Sequence, residues 1–268
     1  MSMTRVRVRR DRPTPLAWAV ALCVTMLAVY VLTLDVGGPD VVESMAAAPR
    51  VTREIAFDAL EGWCVRMARC DTDQEARLRA SATVSRGAAG YVTRLDDGWA
   101  VLGAVYESEK DARRIAARLA DEADIRADVV PIRARAVKLR VTAPQAQIDA
   151  IAGADALLRE QTRRLVQMAL QLDRGELRPD AARTLFAVAA GEAKEAAAAL
   201  SAIPGAAENG LCAGLIGRVE ALRGLLEALS TESGSGGAAY SGMVRCAQTD
   251  TFVRQAAFQE TVNRNGKQ

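Results

Sequence analysis

The pattern of apolar and polar positions changes character twice along the chain. Residues 16–34, LAWAVALCVTMLAVYVLTL, are uncharged throughout. From Trp63 to Thr142, short runs alternate with a period of two, the mark of strands with one face toward a core and one toward solvent. Beyond Pro144, apolar residues recur every three or four positions, the spacing of helices with a single apolar face.

The uncharged run covers roughly 28 Å as a helix at about 1.5 Å per residue, enough for the hydrocarbon core of a bilayer. It is longer than the apolar region of a cleaved signal peptide. Arg5, Arg7, Arg9, Arg10 and Arg12 precede it against one acid, Asp11, a bias that keeps the N-terminus in the cytoplasm. Apolar residues flank Cys23 on both sides, which argues against a lipid-modified terminus there. The expected layout is a cytoplasmic basic tail at 1–15, a transmembrane helix at 16–34 and a linker at 35–54. The bulk of a single-pass cell-membrane protein then lies outside the cytoplasm.

The alternating region contains an internal repeat. GWCVRMARCDTDQEARLRA from Gly62 matches GWAVLGAVYESEKDARRIA from Gly98, with Trp63 on Trp99, Val65 on Val101, Ala68 on Ala104, Ala76 on Ala112 and Arg77 on Arg113, each pair 36 residues apart. Each copy reads strand, helix, strand. Strict alternation at 63–70 places Trp63, Val65 and Met67 on one side and Cys64, Arg66 and Ala68 on the other. Thr72 and Ser108 suit helix N-caps, followed by Glu75 and Asp111. Residues 90–95 and 127–132 read as closing strands, and Asp97-Gly98 as the hairpin between copies. Two such units predict a ferredoxin-like βαββαβ module, a four-stranded antiparallel sheet with two helices on one face and the other face open. Residues 137–142 read as a further strand at the sheet edge.

Helical stripes follow. Ile148, Ile151, Leu158, Leu165, Met168 and Leu172 share one face; Pro179 opens a second helix with Leu185, Val188 and Ala189. Leu211, Leu215, Val219, Leu222, Leu226 and Leu229 mark a third, and Met243, Val244, Ala247 and Phe258 a fourth, after a Ser/Gly link at 232–239. The fold class expected is therefore α+β: one transmembrane helix, a βαββαβ module at 55–143, and a C-terminal helical bundle at 144–268.

Composition narrows the chemistry. There is no histidine, which removes Ser-His-Asp and Cys-His nucleophiles and histidine-ligated metals. Cys23, Cys64, Cys70, Cys212 and Cys246 show no C-x-x-C spacing; small buried hydrophobes are the expected role, with a Cys212–Cys246 disulfide as the alternative. No acidic pair stands apart from ordinary solvated charge, so neither an enzyme nor a cofactor is implied. The net charge of +2 gives no reason for a nucleic-acid partner.

The aromatic-led strands Trp63-Cys64-Val65-Arg66-Met67-Ala68-Arg69-Cys70 and Trp99-Ala100-Val101-Leu102-Gly103-Ala104-Val105-Tyr106, each followed by an alanine- and charge-rich helix, resemble the repeats of the SPOR domain, a peptidoglycan-binding module of bacterial division and sporulation proteins. The likeness covers about 62–133. It departs from the family where Arg66 replaces a glutamine, Ala68 and Ala104 a glycine, and Cys70 and Tyr106 a phenylalanine. The resemblance implies binding of peptide-stripped glycan strands, with Arg66, Tyr91, Leu102 and Tyr106 as ligand-binding positions. An arginine on the open face suits the lactyl carboxylates of such strands. Residues 62–95 hold six basic and three acidic side chains, so the first copy is the anion-facing half. Trp63 and Trp99 read as packing residues. Two functions stay open: a non-catalytic envelope protein that binds peptidoglycan glycan, its bundle engaging a protein partner, or an envelope scaffold whose altered module and bundle bind other proteins.

Overall fold

The computed structural model describes residues 49–265, and these residues pack as one compact unit. Its elements are β1 (Arg50–Phe57), β2 (Leu60–Cys70), α1 (Asp73–Ser85), β3 (Tyr91–Leu95), β4 (Gly98–Tyr106), α2 (Glu109–Ala123), β5 (Asp128–Ala134) and β6 (Val137–Pro144), followed by α3 (Gln145–Asp173), α4 (Pro179–Ser201), α5 (Gly210–Thr231) and α6 (Gly237–Asn265).

The units β2–α1–β3 and β4–α2–β5 build a four-stranded sheet in the order β3-β4-β2-β5, with every neighbouring pair antiparallel. Both sheet helices start on a hydroxyl cap: Thr72 Oγ1 accepts from the Glu75 amide at 3.2 Å, and Ser108 Oγ from the Asp111 amide at 3.3 Å. Each cap satisfies an amide that the helix itself leaves unbonded. Alanines face the sheet (Ala76 and Ala80 on α1, Ala112 and Ala116 on α2), so both helices lie close to it.

β2 and β4 do not pair in one register. Val65 faces Ala104, Arg66 faces Leu102 and Ala68 faces Val101, so Gly103 and Met67 are each passed over. Such bulges break the period of two. Ala68, which strict alternation puts on the Cys64 side, instead packs beneath α1 with Cys70, Ala76 and Val101.

The architecture departs from the fold class expected from sequence in three respects. First, no helix among the described residues is long and apolar enough to cross a membrane. The segment at 16–34 lies outside the described residues, so a transmembrane helix is not part of the observed fold. Second, there are two antiparallel sheets. β6 does not extend the four-stranded sheet; it pairs with β1 from Arg50↔Pro144 to Phe57↔Val137. Ile55, Phe57 and Val137 of this ribbon are buried in the core of the helical bundle, which draws β6 away from the sheet edge. Third, the sheet face expected to be open is covered. Cys64, Ala100 and Leu102 form a buried cluster with Tyr91, Leu95, Val105, Ile132 and, from α6, Val253. Gln248 of α6 donates to the Val105 carbonyl at 3.4 Å.

The bundle core is centred on Leu158, Leu165, Phe186, Leu200, Leu215 and Leu222, all fully buried. Buried alanines on α4 (Ala182, Ala193 and Ala197) present little side-chain bulk at its packed face. Tyr240 packs edge-on to Phe186 and donates to the Leu229 carbonyl at 2.8 Å, tying the start of α6 to the end of α5. The Ser/Gly link is a structured turn: the Glu232 carboxylate accepts from the Gly234 and Ser235 amides and from Ser235 Oγ. Those amide bonds, above all that from Gly234, lower the Glu232 pKa.

Candidate functional site

Arg66, Leu102 and Tyr91 are cross-strand neighbours on β2, β4 and β3, but Tyr106 is not with them. Arg66 is held inside the chain: Nε donates to Asp128 Oδ1 at 2.8 Å, Nη2 to Asp128 Oδ2, and Nη1 to both Asp97 oxygens at 3.0 and 2.8 Å. The hydrogen bonds that Arg66 donates to Asp128 raise the guanidinium pKa further despite partial burial, and the bond from Arg66 lowers that of Asp97. Leu102 is fully buried under α6. Tyr91 is half-buried on the same face; burial, and then the Asp250 charge on α6, push its phenol upward. Tyr106 lies on the opposite face beside Trp63 and Val65. Trp63 itself is capped by Arg133, whose guanidinium carbon sits 4.8 Å from the ring centroid, a cation–π packing arrangement.

A cleft of about 380 Å³ opens on the Tyr106 side of the sheet. Its apolar surface comes from Val65, Met67, Gly103 and Ala104 of the two bulged strands and from Ile115 and Leu119 of α2. The bulges shape it: a Cβ on Gly103 would meet Met67 Cγ at 2.8 Å, so the bare glycine lets the thioether lie across the strand. The rim carries Arg86, Arg118 and Arg245 against a single acid, Glu122. Arg118 pairs with Glu122 at 3.2 Å on the exposed side of α2, a weak surface contact. Arg245 reaches in from α6, bonding the Gly87 carbonyl at 2.6 Å and the Asp173 carboxylate. Arg86 has no ion-pair partner among the described residues.

A second polar group is buried between α3, α5 and α6. Arg218, 7% exposed, donates to Gln255 and lies 4.6 Å from the Phe258 ring centroid. Gln255 in turn donates to Asp155 at 3.4 Å, and Asp155 pairs with Arg159 at 3.0 Å. Desolvation lowers the Arg218 pKa to about 10, opposed by the Asp155 charge. The adjoining space is about 10 Å³, room for one water at most, so this group fixes helix positions and offers no ligand site.

The described cysteines are all free thiols, Cys212 and Cys246 included. Burial pushes Cys64 up to about 12 and Cys246 up to about 11, the opposite of nucleophilic activation. Among the described residues no three or more Cys, Asp or Glu side chains gather into a metal site.

The cleft escapes a reading of the sequence because its shape depends on two bulges and its rim on Arg245, 158 residues from its bonding partner Gly87. Part of the signal is local: Gly103 interrupts an apolar run of β4, and a glycine inside a strand often marks a bulge. No protein-family model, curated protein or solved structure matches the chain.

Proposed function

We propose that the chain is a non-catalytic, membrane-associated envelope scaffold, in which a module resembling the SPOR domain and the helical bundle form one protein-binding body. The observation that carries this reading is the placement of α6 over the sheet face that holds Tyr91 and Leu102. A glycan strand on that face would have to displace Val253 and Gln248, and Arg66 would have to leave two carboxylates. Exposed apolar side chains on the helical half favour a protein partner: Leu185 and Val188, one turn apart on α4, are 51% and 60% exposed. The arginine cluster before residue 16 and the uncharged run after it support an address at the membrane with the bulk outside the cytoplasm. A reporter fused after Gln268 that is active only in the cytoplasm would remove that address.

The functional test is co-sedimentation of residues 48–268 with peptide-stripped sacculi. The scaffold reading expects the protein in the supernatant, with or without Arg66→Ala. Pelleting that Arg66→Ala weakens would restore the glycan reading.

A further inference from the structure

Independently of the scaffold reading, we infer that the cleft between the sheet and α2 binds a single-chain amphiphile with an anionic head, its acyl chain on Val65, Met67 and Ala104 and its head at Arg86.

Three observations converge on this class. The volume of about 380 Å³ falls in the range of small-molecule sites, which are typically apolar with a few placed polar groups. The charged groups of the lining are three arginines to one carboxylate, beside the Tyr106 phenol, so the site joins an apolar surface to a cationic rim. That division matches a molecule with a chain at one end and a negative charge at the other, and mismatches both a neutral sugar and a cation. The arginines are also in unequal states. Arg245 is committed to Asp173, Ser241 and the Gly87 carbonyl. Arg118 holds an exposed pair that costs little to rearrange. Arg86, at the end of α1, has no such bond to break, which makes it the first cation available to an incoming head group.

The cleft is also built and not merely left over. Gly103 keeps the strand bare where a side chain would collide with Met67, and the bulges at these two residues turn Met67 and Ala104 toward the same space. Methionine suits such a surface because its flexible thioether adapts to the chain that lies on it.

The test is calorimetric titration of residues 48–268 with octanoate and with octanol, combined with the methyl resonance of Met67. Octanoate is expected to bind and to shift the Met67 methyl signal, and octanol to bind roughly tenfold more weakly, the scale of a hydrogen bond to a charged group. Arg86→Gln is expected to bring octanoate down to the octanol level while leaving octanol unchanged. Because Arg86 is exposed and unpaired, the variant keeps the melting temperature of the parent. Absence of octanoate binding, an unmoved Met67 methyl, equal affinity for the two probes, or equal losses for both in Arg86→Gln each overturns the proposal. So does binding to phosphatidylglycerol vesicles without binding to octanoate.

Discussion

Gly62 of β2 and Phe252 of α6 share a space that admits one side chain: a Cβ on Gly62 would lie 2.4 Å from Phe252 Cζ. The same device recurs at the other end of the contact, where a Cβ on Gly242 of α6 would lie 2.6 Å from the Val84 carbonyl oxygen of α1. The C-terminal helix is thus fitted to the module through bare backbone on both sides. We expect Gly62→Ala to destabilise the fold by about 1–3 kcal/mol, as overpacking does. In a Phe252→Ala background the penalty should shrink, giving a coupling of at least about 0.5 kcal/mol in a urea-denaturation double-mutant cycle. Strict additivity would mean that the two residues do not meet.

Local features of the fold were legible in the sequence, and long-range ones were not. The offset of 36 between Trp63 and Trp99, and the caps at Thr72 and Ser108, depend on neighbours within a few residues, so periodicity and capping chemistry reveal them. The pairing of β1 with β6 was hidden because Arg53 and Glu54 give β1 the look of a linker, while only Ile55 and Phe57 are buried. The cover over the sheet was hidden for a different reason. α6 is buried on two sides: Tyr240, Val244 and Phe258 face the bundle, and Val253 faces the sheet. Gln248, Thr249, Asp250, Gln255 and Gln259 are buried as well, so no single apolar stripe announces the second contact. The site is hidden with the cover: as ligand-binding positions Leu102 and Tyr91 require an exposed face, and this helix occupies it.

Arg66 offers a pH test. Its hydrogen bonds lower the Asp97 pKa, so the stabilisation carried by that carboxylate is fully present above the ordinary value of 3.8 and is lost as pH falls below it. Arg66→Ala should lower the melting temperature at neutral pH, and the gap to the parent should narrow as Asp97 is protonated in both proteins. Equal melting temperatures at neutral pH would place Arg66 free in solvent.

The thiols give the opposite sign at the alkaline end. Cys64 ionises near 9.0 when exposed and at about 12 when folded. The unfolded chain therefore loses this proton first. Stability is unchanged by Cys64 below pH 9.0 and falls as pH rises from there, with a limiting slope of ~1.4 kcal/mol per pH unit. Cys64→Ala should flatten the pH dependence of urea unfolding in that window. Iodoacetamide should label Cys64 only after denaturation; rapid labelling of the folded protein would contradict its burial.

The most direct test is the stability of Leu102→Asp. If the α6 helix lies over this face, the substitution places an unpaired carboxylate in a dry contact, and urea denaturation should show a loss above about 4 kcal/mol or no folded protein. If the face is open to solvent, as a glycan-binding sheet requires, the aspartate would be hydrated and the stability would stay within about 0.5 kcal/mol of the parent. With α6 over Leu102 the first result is expected; the second would mean that the face is open.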